Sequence, residues 1–543
     1  MRPSRKSTGR SFLSGVSVLT LSALAVKVIG LLYRIPLLRY LGTEGMGYFN
    51  TAYELYALFC VISTAGLPVS MSVLISAREA EGRFRDAKRV FRVSLLLFAG
   101  IGVLGTALLW GMAQPFAALL GSPLSAACMR SIAPTVFLIC LSSAFRGYFQ
   151  GRRTMLPTAI SQIIEAAGKL CLGLLFAAYA YALGMELPVT AAWAVMGLTV
   201  GTALSVGYLS VCKWASDRRN TGILPLLSPA DDGAPRPVLK PLLATAIPVT
   251  LSAGVISLTK CIDLALILRR LRVLGYTAAE VNSLYGCYST LAVPIFNMLP
   301  SLTASVALSA TPALSAAFRK GKEGISEMRR VAASSLRLTL IVAIPASLGL
   351  SVFAEDILSL LFRGQPEAVA QATPWLSCLG LSVPAACLIT VTGAMLQAVG
   401  KAGRPILSML AGVAVKTLLA HVLLGQDGWG MAGAPVSSLC CDTVIVAVNL
   451  IFIHRHAPHM LPSLREGVPM VAFPTVTAIG AVAAVRLMRN LWGWETVTPL
   501  HTLGTVMVVM CLYGAGMSIW LLPKKISTNK KDKNHEQAHQ RTA

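Results

Sequence analysis

Fourteen stretches of this chain are each long and apolar enough to cross a lipid bilayer, and they leave room for little else. They fall at about 11–40, 46–77, 90–113, 117–149, 155–182, 189–213, 241–270, 279–317, 331–353, 367–399, 404–425, 430–453, 467–488 and 499–522. A helical span needs about 20 mostly apolar residues. No water satisfies the backbone inside hydrocarbon, so a spanning segment is a helix or a strand of a closed barrel. No alternation of period two runs through these stretches, which excludes the barrel. Composition agrees: only 13% of the 543 residues are charged, about half the share in a soluble domain. A soluble enzyme, a disordered chain and a fibrous one are excluded. The expected fold is all-α, a polytopic membrane protein of about 14 transmembrane helices. The longest stretches, 46–77 and 279–317, must tilt or protrude into water.

Net charge is +24, and its placement argues against nucleic acid. With the N-terminus placed in the cytoplasm, 33 of the 47 Lys and Arg fall in cytoplasmic tails and loops and 8 in outer ones. Positive residues stay inside, so both termini are expected to be cytoplasmic and the excess to face the anionic inner leaflet. Arg2, Arg5, Lys6 and Arg10 before an apolar run, with Ala23-Leu24-Ala25 beyond, mimic a signal peptide. The run continues to Leu38, so it is expected to remain as the first span. The tail Lys524, Lys525, Lys530, Lys531, Lys533 is expected to be a solvated anchor. The 12 cysteines include no CxxC pair. Cys60, Cys140, Cys171, Cys261, Cys387 and Cys511 lie in apolar runs and are expected to be small core residues.

The chain repeats itself. Lys27, Leu41-Gly42 and Leu67-Pro68 recur as Lys260, Leu274-Gly275 and Leu299-Pro300, at offsets of 233, 233 and 232. Gln150, Pro157 and Lys169 recur as Gln397, Pro405 and Lys416, at offsets of 247, 248 and 247. The expected organisation is a six-helix repeat over 1–213, a Pro- and Asp-rich cytoplasmic linker over 214–240, a second six-helix repeat over 241–455, two further helices within 456–522, and a basic cytoplasmic tail over 523–543. Six is even, so the repeats run parallel, and halves so related place substrate sites at their interface in secondary transporters.

The stretch Lys27-Val-Ile-Gly-Leu-Leu-Tyr-Arg34-Ile-Pro36, then Leu41-Gly42-Thr-Glu-Gly45-Met-Gly47, Ser63-Thr-Ala-Gly66-Leu-Pro68-Val-Ser-Met-Ser72 and Ala87-Lys88-Arg89-Val-Phe-Arg92, resembles the multidrug/oligosaccharidyl-lipid/polysaccharide exporter superfamily. Within it the sequence is similar to the stage V sporulation protein B group of polysaccharide biosynthesis membrane proteins. The resemblance implies a fourteen-helix, V-shaped flippase for undecaprenyl-linked cell-wall precursors in the bacterial cytoplasmic membrane, with a role in spore cortex formation. A more distant likeness is to the MurJ lipid II flippases, where basic residues on the first helix meet the pyrophosphate. Lys27 matches the first of those positions and Arg34 falls one residue beyond the second. Tyr48 replaces an acidic family position, and Val61 stands where an arginine would be.

Ionisable residues inside apolar runs cost several kcal/mol at the bilayer centre and should face a solvated or protein interior. Lys27 and Arg34 are seven apart and share a face of the first span. Lys260 and Asp263 are three apart on the seventh span, with Arg270 seven further on. Asn50 and Glu54 share a face of the second. Lys27, Arg34, Glu54, Lys260 and Asp263 are the expected substrate-binding residues of a net-positive central cavity suited to a diphosphate head group. Asn50, Arg270 and Lys416 are further candidates, and Pro68 and Pro300 are candidate matched hinges. Glu165 and Lys169, four apart, are expected to form a structural ion pair; Arg337 and Asp442 are expected to be structural as well. Lys416 lacks an acid four residues earlier and either snorkels or lines the cavity. The glycines of Gly42-x-x-Gly45-x-Gly47 fit a tight turn between the first two spans.

No clustered catalytic set, metal site or cofactor motif emerges, so the chain is expected not to be an enzyme. His454-x-His456-x-x-His459 has no acidic partner to complete a metal site. The expected partners are a polyprenyl-diphosphate-linked glycan, membrane lipid and cell-wall synthesis enzymes, with the chain acting as a monomer. Two rivals remain open: a drug/cation antiporter of the same fold, which would rely on cavity carboxylates, and a non-transporting scaffold for cell-wall synthesis.

Overall fold

A computed structural model of the chain describes residues 5–220, 237–492, 504–505 and 507–518. Most of the linker and all of the basic tail lie outside them. Among the described residues the structure is helical throughout, as apolar segments in a bilayer require. Twelve helical segments among them are long and apolar enough to cross a membrane. Large apolar side chains such as Leu104, Leu175, Leu251 and Val476 stay exposed on their outer faces, the surface that lipid would cover. Cys60, Cys140, Cys261 and Cys387 are buried, as expected of core cysteines, whereas Cys171 and Cys511 are exposed.

The first of the twelve segments, Leu21–Ala80, contains both of the first two expected spans. Helix α1 (Arg5–Thr64) runs through Gly42 at φ 59°, ψ −176°, a conformation essentially confined to glycine. In a straight helix Tyr33 and Phe49 would lie about 24 Å apart. Their ring centroids are 6.1 Å apart, so the two limbs of α1 fold back against each other at Gly42. The short helix α2 (Gly66–Ala80) follows. At the other end of the chain, the expected fourteenth span is described only in part, where Val509, Tyr513 and Met517 are buried and the Tyr513 hydroxyl donates to the Ile341 carbonyl at 2.8 Å.

The remaining helices are α3 (Phe84–Gly111), α4 (Ala113–Leu120), α5 (Ala126–Gly151), α6 (Leu156–Ala182), α7 (Leu187–Asn220), α8 (Leu239–Val273), α9 (Ala278–Cys287), α10 (Val293–Arg319), α11 (Ile325–Val352), α12 (Ala354–Leu361), α13 (Pro366–Ala398), α14 (Arg404–Leu423), α15 (Gly433–His456) and α16 (Leu464–Trp492). A wide turn of i→i+5 helix, Tyr288–Ala292, joins α9 to α10.

The chain forms two compact units, one of residues 1–290 with 417–434, the other of 291–416 with 435–543. In the first unit, Leu67, Met71, Ile75, Phe98, Phe149 and Leu242 share one core. Helix α8, which opens the second sequence repeat, belongs to this unit because it packs on α1 and α2. A Cβ on Gly66 would meet the Ala246 carbonyl at 2.1 Å. In the second unit, Leu314, Met395, Leu396 and Ile453 form a core from α10, α13 and α15.

Helix α9 packs on the second limb of α1 through two glycines. A Cβ on Gly47 would fall 2.1 Å from the Asn282 carbonyl, and one on Gly286 would fall 1.9 Å from the Thr43 carbonyl. Of the glycines expected to form one turn, Gly42 makes the bend and Gly47 admits α9. Thr43 shares a hydrogen bond with Ser283 at 2.6 Å, and Asn50 Nδ2 donates to the Ser289 and Thr290 hydroxyls at 2.9 and 2.8 Å. Thr43, Gly47 and Asn50 recur at helical spacing, so one stripe of α1 carries the whole contact.

Candidate functional site

The expected basic residues gather where α1 meets α8. Lys27, on the first limb of α1, and Lys260, on α8, are both exposed and lie within reach of each other's charge. Two turns after Lys27, the Arg34 guanidinium donates from Nη1 to the Ser289 carbonyl at 2.6 Å. Ser289 stands in the i→i+5 turn, and residue 294, the donor that such a register assigns to its carbonyl, is a proline without an amide hydrogen. The carbonyl is thereby available to Arg34. Wide turns of this kind frequently mark functional positions.

Two carboxylates accompany these cations. Arg34 lies in the field of Glu54, and the buried Tyr285 senses Glu54, Asp263 and Arg34 together. The Cys261 thiol donates to the Glu54 carbonyl at 3.6 Å, which ties the second limb of α1 to α8 one residue from Lys260. Lys27, Arg34, Glu54, Lys260 and Asp263 therefore share one region of the first unit, with three cations against two anions.

The other candidates are placed differently. Asn50 is buried and spends its amide on the α9 contact. Arg270, in the last turn of α8, donates from Nε to the His421 carbonyl at 3.0 Å and covers Gly425. It stands ten residues beyond Lys260, about 15 Å along the helix, and is a helix-end contact. Lys416 lies in the second unit and finds its acidic neighbour across helices, in the field of Asp442. Asp442 also accepts a hydrogen bond from the Ser382 hydroxyl. Pro68 is buried in the first turn of α2, where a missing N–H costs nothing, whereas Pro300 is interior to α10.

The expected pair of Glu165 with Lys169 is replaced by another. Glu165 accepts from Arg146 Nη2 of α5 at 2.7 Å. Arg146 also donates to the hydroxyls of Ser161 (3.0 Å) and Ser205 (3.3 Å). Lys169, one turn beyond Glu165, projects instead into three rings of α1. Its Nζ is 4.5 Å from the Tyr53 centroid, 5.2 Å from that of Tyr33 and 5.7 Å from that of Phe49. Phe49 and Tyr53 stack with planes 8° apart, and the Tyr33 hydroxyl is fixed to the Ala194 carbonyl of α7 at 3.2 Å. That bond is possible because α6 and α7 touch backbone to backbone: a Cβ on Gly197 would lie 2.2 Å from Gly173. The spacing of Glu165 and Lys169 suggested a local pair, but the closer donor came from another helix. No sequence period links Arg146 to Glu165, which lies on another helix.

A family model described as "Polysaccharide biosynthesis protein" matches residues 12–318, and one described as "MatE" matches residues 289–422. The chain is 26% identical over 483 residues to Stage V sporulation protein B of Bacillus subtilis (strain 168), with 88% of this chain and 89% of that one covered. It is 23% identical over 528 residues to Lipid II flippase MurJ of the same organism, with 94% of each covered. Among solved structures it resembles Lipid II flippase MurJ in an inward closed conformation, with a TM-score of 0.69 at 13% identity over 92% of this chain and 98% of that one. It also resembles an inward-facing multidrug resistance MATE family transporter of the MOP superfamily, with a TM-score of 0.63 at 17% identity over 80% and 95%. At these identities the structural likeness speaks for the fold.

Proposed function

We propose, because this chain belongs to the polysaccharide biosynthesis protein family, that it is a flippase moving a polyprenyl-diphosphate-linked oligosaccharide or peptidoglycan precursor across the bacterial cytoplasmic membrane. It works by alternating access, with both termini cytoplasmic, as a monomer without cofactor or chemistry on the substrate. The observation that carries this reading is the meeting of Lys27 and Lys260, from α1 and α8, beside Arg34. Two like charges held within reach of each other are unfavourable unless an anion joins them. A diphosphate leaving water needs cations already in place, since an uncompensated charge in a low-dielectric site costs several kcal/mol. Glu54 and Asp263 offset part of the cationic charge when the site is empty and leave one positive charge in excess. Pro68, at the junction of α1 and α2, and Pro300, inside α10, act as hinges of different local geometry. The polyprenyl tail lies against α16, where Pro462, Val468, Val471 and Val476 line an apolar groove.

The MatE match and the MATE-like fold favour a second reading, a drug/cation antiporter. Such a protein would depend on Glu54 and Asp263, which the basic residues outnumber. Complementation of a flippase-depleted strain decides, with membrane levels checked by blot. Lys27→Ala with Lys260→Ala should abolish growth support while the protein remains inserted, and Lys27→Arg should keep part of it, because charge is retained. Full complementation by the double alanine variant overturns the cationic-site mechanism.

A further inference from the structure

The aromatic cage around Lys169 is not needed for the fold to close. An apolar side chain of similar length would pack against Tyr33, Phe49 and Tyr53 without the cost of placing an ammonium among them. A carboxylate stands one turn away, yet Glu165 is held by Arg146 at 2.7 Å, and none of the described ion pairs includes Lys169. The lysine thus makes no ion pair among the described residues: three ring faces surround its Nζ, and Glu165 reaches it only through its field. It also lies within the field of Arg34, which places it beside the cationic cluster of α1 and α8.

We infer that Lys169 is a fourth cation of the head-group site, held in reserve by its aromatic cage. While no anion is present, the rings of Tyr33, Phe49 and Tyr53 stabilise the ammonium and keep it from repelling Arg34 more closely. A diphosphate beside Arg34 competes with the cage and draws the flexible lysine stem out to it, since an anionic oxygen is a stronger partner than a ring face. Arg146 serves this device by keeping Glu165 engaged; otherwise the carboxylate would neutralise Lys169 at the favourable i,i+4 spacing. The inference rests on the flippase reading and adds a residue to its site.

The test is binding of undecaprenyl diphosphate, against uncharged undecaprenol, to the full-length protein in lipid nanodiscs. The wild type should prefer the diphosphate, and Lys27→Ala with Lys260→Ala should lose that preference. Lys169→Gln should weaken diphosphate binding about tenfold, the loss expected of one charge-assisted contact, and Lys169→Arg should restore most of it. Tyr53→Leu opens the cage without touching a charge and should tighten binding about threefold, because the competitor is weakened. A purely structural lysine would instead lower the melting temperature in both Lys169→Gln and Tyr53→Leu and leave binding alone. If Lys27→Ala/Lys260→Ala loses binding while Lys169→Gln and Tyr53→Leu match the wild type, the reserve-cation inference falls and the flippase reading stands. If the wild type does not distinguish diphosphate from undecaprenol, both fall. Should Lys169→Gln fail to fold, Tyr53→Leu decides by the direction of its effect.

Discussion

The ion pair between Arg146 and Glu165 makes a prediction whose sign is unusual. The two side chains are 13% and 19% exposed, so each charge is largely removed from water. Replacing Arg146 by Met strands the Glu165 carboxylate, and Glu165→Met leaves Arg146 with only the Ser161 and Ser205 hydroxyls. Breaking a buried pair from one side costs about 3–5 kcal/mol. Arg146→Met should cost about 0.5 kcal/mol less than an uncompensated break, because Lys169 stands one turn away at i,i+4 spacing. The double Met variant carries no stranded charge, and apolar replacement of a buried pair is often neutral. It should therefore lie within about 1 kcal/mol of the wild type and above both single variants, a coupling of about 3 kcal/mol or more. Unfolding in detergent by titration with SDS measures this, followed by a thiol-reactive dye that reports exposure of buried Cys60 and Cys140. Binding gives a second readout: in Arg146→Met the released carboxylate should neutralise Lys169 and weaken diphosphate binding, whereas the double variant should bind normally. A double variant as unstable as the sum of the two singles refutes the reasoning.

Two further outcomes follow from packing and from charge placement. Gly286→Ala sets a methyl 1.9 Å from the Thr43 carbonyl and should cost about 1–3 kcal/mol, lowering the dye-reported melting temperature; Gly100→Ala, with nothing within 4 Å, is the near-neutral control. A cysteine at Gly82, in the basic loop after α2, should resist an impermeant thiol reagent in intact cells and react after lysis, and labelling in intact cells would reverse the orientation.

What could be read from the sequence was whatever a period or an offset carries. Apolar runs gave the spans, because a backbone in hydrocarbon has few options. The offset of 233 singled out Lys27 with Lys260, and seven-residue spacing added Arg34. Partners from other helices left no such trace. Glu165 and Lys169 had the spacing of a pair, yet Arg146 arrives from α5. Lys416 had no acid on its own helix, yet Asp442 supplies one from α15. The cage around Lys169 joins residues 33, 49, 53 and 169, which no periodicity links. Gly47 looked like part of a turn because its neighbour Gly42 makes one, and its close contact with Asn282 is visible only in three dimensions. The boundary between compact units differs from that of the repeats for the same reason, since α8 finds its packing partners in α1 and α2.

The bend at Gly42 divides the cage. Tyr33 belongs to one limb of α1, Phe49 and Tyr53 to the other, and Lys169 touches both. A change in the angle between the limbs moves one wall of the cage against the other two, and the residue of α1 that leaves helical geometry to allow it is Gly42. Rotation at that residue is therefore converted into a change in how firmly a positive charge is held, so a mechanical movement of the first two spans and the electrostatics of the site are the same coordinate seen from two ends.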